Sequence, residues 1–146
     1  MRRLLLIAIC LLCACVPTIA SAASLVGYWY GQGYQPSIHE VTQFVAHRRD
    51  DGSFEIRFRA YKNCVLSFDQ VESGTWMMVN PDTYRTVTTS INGLRLRSPA
   101  IDDYHIAELT DEHDRYVHLA TGVEYSARRV DENFAFPTCE AISLAK

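Results

Sequence analysis

The chain has 146 residues, 48% of them hydrophobic, and its 14 Lys and Arg are outnumbered by 17 Asp and Glu. That acidic balance excludes a protein that works by gripping phosphate backbones, because such binding needs clustered Lys and Arg. The length supports one domain around one core, and the even mixture of charged and apolar residues excludes a disordered or low-complexity chain.

The N-terminus reads as a targeting segment. Arg2 and Arg3 precede an apolar run, Leu4 to Val16, that is too short to span a bilayer, and Ala20-Ser21-Ala22 supplies the small-residue pattern of a signal-peptidase site. A signal peptide over 1–23 and a single domain over 24–146 are therefore expected, with a periplasmic or secreted location. Leu12-Cys13-Ala14-Cys15 carries a second reading, because it resembles a bacterial lipobox with Cys15 as the lipidated residue. That version is an outer-membrane lipoprotein held by its acyl chains, and it is the one case that involves a membrane. Removing the segment takes away Arg2, Arg3 and three of the five cysteines, leaving 12 basic against 17 acidic residues and the pair Cys64 and Cys139. In an oxidising compartment a lone pair most simply forms one disulfide; two buried thiols are the alternative.

Beyond that segment the apolar pattern has period two. A first strand lies near Leu25–Tyr34 and a second within Glu40–Arg48, followed by the turn sequence Asp50-Asp51-Gly52-Ser53. Phe54, Ile56, Phe58 and Ala60 then alternate with Glu55, Arg57 and Arg59, so the third strand has one apolar and one charged face. A fourth runs from Cys64 towards Val79, Asn80-Pro81-Asp82-Thr83 turns it into Tyr84–Ile91, and Asn92-Gly93 ends that fifth strand. The stretch from Gly93 to Asp102, with Leu94 and Leu96 interleaved with Arg95 and Arg97, reads as the longest loop and a lid over one end. Tyr104–Leu109, Arg115–Ala120 and Val123–Val130 complete the set. Eight short sequential strands joined by tight turns predict an all-β fold, an eight-stranded antiparallel up-and-down barrel. A two-sheet sandwich would need longer crossover connections.

Gly27-Tyr28-Trp29-Tyr30 at the start of the first strand resembles the Gly-x-Trp signature of the lipocalins, within the calycin group. The resemblance implies a lipocalin-like barrel in which a late arginine packs over the tryptophan at the closed end, and face parity selects Arg129 over Arg128. It also implies that a cysteine of the fourth strand is tied to the C-terminal tail, as Cys64 and Cys139 would be. The chain departs from the family in being short, in lacking its long C-terminal helix, and in carrying Thr110-Asp111-Glu112 where Thr-Asp-Tyr is usual.

No catalytic motif is present: there is no His-Glu-x-x-His, no Gly-x-Ser-x-Gly and no phosphate loop, so the chain reads as a non-enzyme without cofactor or metal. Pairing Leu109 with Tyr116 would put His105, Ala107, Tyr116 and His118 on the inner face, continued by Val123, Tyr125 and Ala127 in the last strand. Gln43, Val45 and His47 would face Ala60, Phe58 and Ile56 across the second hairpin, with Trp76 and Met78 completing the wall. Small alanines between Tyr and His tips would leave room inside and offer a few hydrogen-bonding groups. The predicted ligand-binding residues are therefore His47, Ile56, Phe58, Trp76, His105, Tyr116, His118 and Tyr125. The expected function is an exported barrel that binds a small, largely apolar ligand. The alternative is a periplasmic protein-binding module that inhibits a protease or lysozyme, or engages another envelope protein, through its loops.

Overall fold

A computed structural model describes residues 23–35 and 40–138. Eight strands are formed: β1 (Gly27–Gln35), β2 (Glu40–Arg48), β3 (Ser53–Lys62), β4 (Val65–Asn80), β5 (Thr83–Ile91), β6 (Leu94–Leu109), β7 (His113–His118) and β8 (Glu124–Val130). Each pairs antiparallel with its neighbours in sequence, and β1 pairs with β8 from Tyr28↔Val130 to Gly31↔Ala127. The result is a closed, eight-stranded up-and-down barrel with no helix among the described residues.

The turns follow from their residues. Asn92 and Gly93 have φ of 49° and 76°, the mirror-image turn whose twist matches a right-twisted hairpin. Asn63 and Cys64 repeat it between β3 and β4 with φ of 50° and 58°, which places a cysteine in the left-handed region at the tip of a hairpin. The stretch 93–102, expected to be a loop and lid, is strand. β6 starts at Leu94 and pairs with β5, first as Ile91↔Leu94 and Ser90↔Arg95, then from Thr88↔Ala100 onward. Between these blocks the register slips, leaving Leu96–Pro99 as an irregularity where Pro99, lacking an N–H, costs the ladder nothing.

Two further expectations are corrected by the pairing. On β2 the inner face carries Phe44, Ala46 and Arg48, opposite Phe58, Ile56 and Phe54; Gln43, Val45 and His47 therefore point outward. In β6 a bulge at Ala107 lets Ile106 face Tyr116 and Leu109 face Asp114, so Tyr104 and Ile106 turn inward while His105 and Ala107 do not. The expected Leu109–Tyr116 pair is absent.

The inner faces divide the barrel into two tiers. At the closed end, where β1 begins and β8 ends, Leu25, Trp29, Phe44, Ala46, Tyr84, Tyr116 and Ala127 form a buried cluster. Trp29 is fully buried and its Nε1 donates to the Leu25 carbonyl at 2.9 Å. The Arg129 guanidinium lies 4.3 Å from the Trp29 ring centroid and donates to the Val26 and Ser24 carbonyls, both at 2.7 Å. Gly27, with φ of 116°, leaves the space that Arg129 fills. Beyond Val130 the tail crosses the outside of the barrel. Phe134 packs on Tyr30 at 4.8 Å, Pro137 accepts a bond from Gln43, and Phe136 sits 4.7 Å beneath the Arg59 guanidinium. This cover is why Gln43 is fully buried on an outward face.

Candidate functional site

The open end holds a cavity of about 630 Å³. Its walls come from the upper inner faces of β2, β3, β4 and β8: Phe44, Phe58, Ala60, Phe68 and Tyr125 supply apolar and aromatic surface, and Thr42, Gln70 and Glu72 supply polar atoms. Gly33 of β1 lies at its edge, where an added Cβ would meet no atom within 4 Å. Deeper still, Gly31 matters for the opposite reason, because a Cβ there would overlap the Phe44 ring that closes the bottom of the cavity.

Below the cavity, aromatic rings fill the barrel in a continuous column. Tyr125 stacks on Tyr116 at 5.3 Å, Tyr116 meets Tyr104 edge-on at 5.5 Å, and Tyr104 stacks on Tyr84 at 5.0 Å. A void of only about 50 Å³, bordered by Glu72, Arg48, Asp102 and Tyr104, separates this column from the β3–β5 wall. Burial pushes the hydroxyl pKa of Tyr84, Tyr104 and Tyr116 upward, which keeps all three protonated.

Two ionisable groups lie at the bottom of the barrel. Arg48 donates from Nη2 to the Tyr84 hydroxyl at 2.9 Å, and its guanidinium sits 4.8 Å from that ring's centroid. Its Nη1 stands 3.6 Å from Asp114 Oδ2, beyond hydrogen-bond length, and neither that nitrogen nor either Asp114 oxygen has a hydrogen-bond partner among the described residues. Burial drives the Asp114 carboxyl pKa up to about 6, and the nearby Arg48 offsets only part of the rise. Burial alone would lower the Arg48 pKa, but the hydrogen bond to Tyr84 and the neighbouring Asp114 favour the charged form, so Arg48 stays charged.

The predicted ligand-binding residues are scattered by these facts. Phe58 and Tyr125 line the cavity, and Phe58 also borders the small void with Ile56 and Tyr116. Tyr116 is buried in the packed column. Trp76 faces inward near the closed end, where its Nε1 donates to the Arg49 carbonyl at 2.9 Å, and Met78 beyond it is exposed. His118 belongs to the inner face near the open end: Nε2 is 3.0 Å from Asp102 Oδ1 and Nδ1 is 2.8 Å from Thr121 Oγ1. Since Thr121 Oγ1 also accepts from the Val123 N–H, this chain of contacts fastens the β7–β8 turn to β6. His47 and His105 are outside the barrel. His47 stacks on Tyr28 at 3.8 Å, and His105 stands 3.9 Å from Asp82. His47 was displaced because Arg48 took the inward place beside Asp114, and His105 because the β6 bulge changed the face count.

Phe44, Phe68 and Glu72 were not anticipated. Alternation would have found Phe44 had the strand been anchored on its aromatic residue and not on its valines. Phe68 and Glu72 share the Trp76 face of β4, a signal that an interior carboxylate obscured. No family model and no curated protein matches the chain. The class that the geometry defines is an antiparallel β-barrel, packed at one end and hollow at the other.

Proposed function

We propose that the protein is an exported, lipocalin-like carrier that holds a small, largely apolar molecule in the cavity at its open end, by shape and burial and without bond making. The observation that carries this reading is the cavity itself: about 630 Å³ walled by Phe44, Phe58, Phe68 and Tyr125, within the size range of small-molecule sites. The lipocalin likeness is supported by Arg129 over Trp29 where the first and last strands meet. Export is supported by the sequence pattern of residues 1–23, and we include a Cys64–Cys139 bridge in the proposal. Cys139 lies outside the described residues, but the tail reaches Pro137 along the outer faces of β1 to β3, on a course towards the β3–β4 turn where Cys64 sits.

A neutral, environment-sensitive naphthalene dye should bind the folded protein at micromolar concentration. Gly33→Phe should abolish that binding at unchanged melting temperature, because the new ring enters open space. A stable wild type that takes up no dye would remove the carrier reading. It would then favour the protein-binding alternative, which one observation supports: Val65, Leu66 and Leu94 are exposed beside the turns at the open end.

A further inference from the structure

The charge inside the cavity has one sign. Its ionisable lining residues are Glu40, Glu72 and Glu124, with no Lys, Arg or His among them. Glu124 is turned to Arg115 on the outside of β8, at 3.2 Å, so its charge is already offset. Glu72 is different. It stands on the inner face of β4, opposite Ile56, and borders both the cavity and the small void beneath it, so it lies where the cavity ends. Its contact is the Gln70 side-chain amide, whose Nε2 donates at 2.6 Å, and no Lys, Arg or His forms an ion pair with it among the described residues. Arg48 borders the same void but is engaged with Tyr84 and Asp114.

Around this carboxylate the walls are rings. Phe44 and Phe58 lie 6.2 Å apart and Phe44 and Tyr125 6.3 Å apart, and all three rings line the cavity that Glu72 borders. Aromatic faces attract cations through their negative quadrupole, and a carboxylate in a site of restricted water attracts them through its charge. A carboxylate ligand would meet Glu72 as a like charge, and an uncharged one would leave Glu72 without a counter-ion.

We infer that the cavity takes a cationic amphiphile, a hydrophobic amine whose ammonium group docks on Glu72 while its apolar body lies against Phe44, Phe58 and Tyr125. This rests on the cavity-binding reading above and specifies its ligand class. The alkyl portion replaces water along the ring faces, and the ammonium donates hydrogen bonds to the Glu72 carboxylate in addition to their charge attraction.

The test compares three ligands of equal chain length, decylamine, 1-decanol and decanoate, by titration calorimetry at pH 7.5 and below their aggregation concentrations. Decylamine is charged there, as any primary alkylamine is. It should bind about tenfold more tightly than 1-decanol, with decanoate the weakest. Glu72→Gln should bring decylamine to within about threefold of 1-decanol. The melting temperature should hold, which shows that the variant is folded, and 1-decanol should bind it as tightly as or more tightly than the wild type, because no charge is then left without a counter-ion. If 1-decanol binds the wild type as tightly as decylamine, or Glu72→Gln keeps the full preference, the inference is overturned while the carrier reading stands. If none of the three ligands binds, the carrier reading fails and takes this inference with it.

Discussion

Replacing Asp114 by Asn should make the protein more stable at neutral pH, although it removes one member of a buried ion pair. Two effects compete. Breaking a buried pair ordinarily costs about 3–5 kcal/mol, because the surviving charge is left uncompensated. Against this, the Asp114 carboxylate is fully buried, accepts no hydrogen bond at either oxygen among the described residues and stands 3.6 Å from its partner. Its pKa near 6, against 3.8 for the ordinary carboxyl, already includes the attraction of Arg48. That difference corresponds to about 3 kcal/mol, and it is unfavourable to the ionised folded state. Between pH 3.8 and pH 6 the folded protein holds a proton that the unfolded chain has released, so this group's contribution to stability falls as pH rises through that window. Arg48 also keeps its bond to Tyr84 when the charge on Asp114 is gone.

Urea unfolding of wild type and Asp114→Asn at intervals from pH 3.5 to 7.5 reads the effect as a difference. Asp51, Asp69 and Asp103, whose pKa values are lowered by their hydrogen-bond partners, and His47, lowered by burial, titrate alike in both proteins and cancel. The two should be nearly equal below pH 4, where Asp114 is protonated and close in shape to Asn. The variant should gain up to about 3 kcal/mol by pH 7. A difference that is flat across this range, or a variant less stable at pH 7, would refute the reasoning and show that Arg48 repays the burial of the charge.

Trp29→Ala should cost about 3–5 kcal/mol in urea unfolding, because a fully buried indole and its Arg129 cover are lost together. Dye affinity should stay near the wild-type value, since Trp29 lies at the end opposite the cavity; a variant with wild-type stability would show that the packed end is not what holds the barrel. Thiol labelling of the processed protein, denatured without reductant, should modify no cysteine, and labelling of both Cys64 and Cys139 would exclude their bridge.

The architecture was legible because alternation and turn chemistry agree along most of the chain. Phe54 to Ala60 announce one strand face, and Asn92-Gly93 and Asp51-Gly52 mark their turns by residue type alone. Side-chain direction was less legible, and the reason lies in particular contacts. On β2 the valine-bearing and phenylalanine-bearing faces look equally plausible until Asp114, far along the chain, gives Arg48 a reason to turn inward and the tail gives Gln43 a cover on the outside. The bulge at Ala107 has no local signature, yet it decides whether His105 points in or out. Leu94 to Asp102 resembled a loop because Pro99 and two arginines interrupt it, and its strand pairing comes from β5 and not from its own composition. Glu72 was invisible as a site residue because an interior carboxylate contradicts the alternation rule that places its neighbours.

The path of the chain also fixes which way the mouth looks. The first described residues lie against the packed end, with Leu25 beside Trp29 and the Ser24 carbonyl held by Arg129. Any tether upstream of Ala23 therefore pulls on the floor of the barrel and leaves the mouth aimed away from whatever holds it. On a membrane-anchored form, the mouth would open to the aqueous side and not to the bilayer. In the laboratory, immobilisation through the N-terminus leaves the entrance free, whereas a fusion following Thr138 emerges on the flank of β2 and β3, on the side from which the cavity is reached.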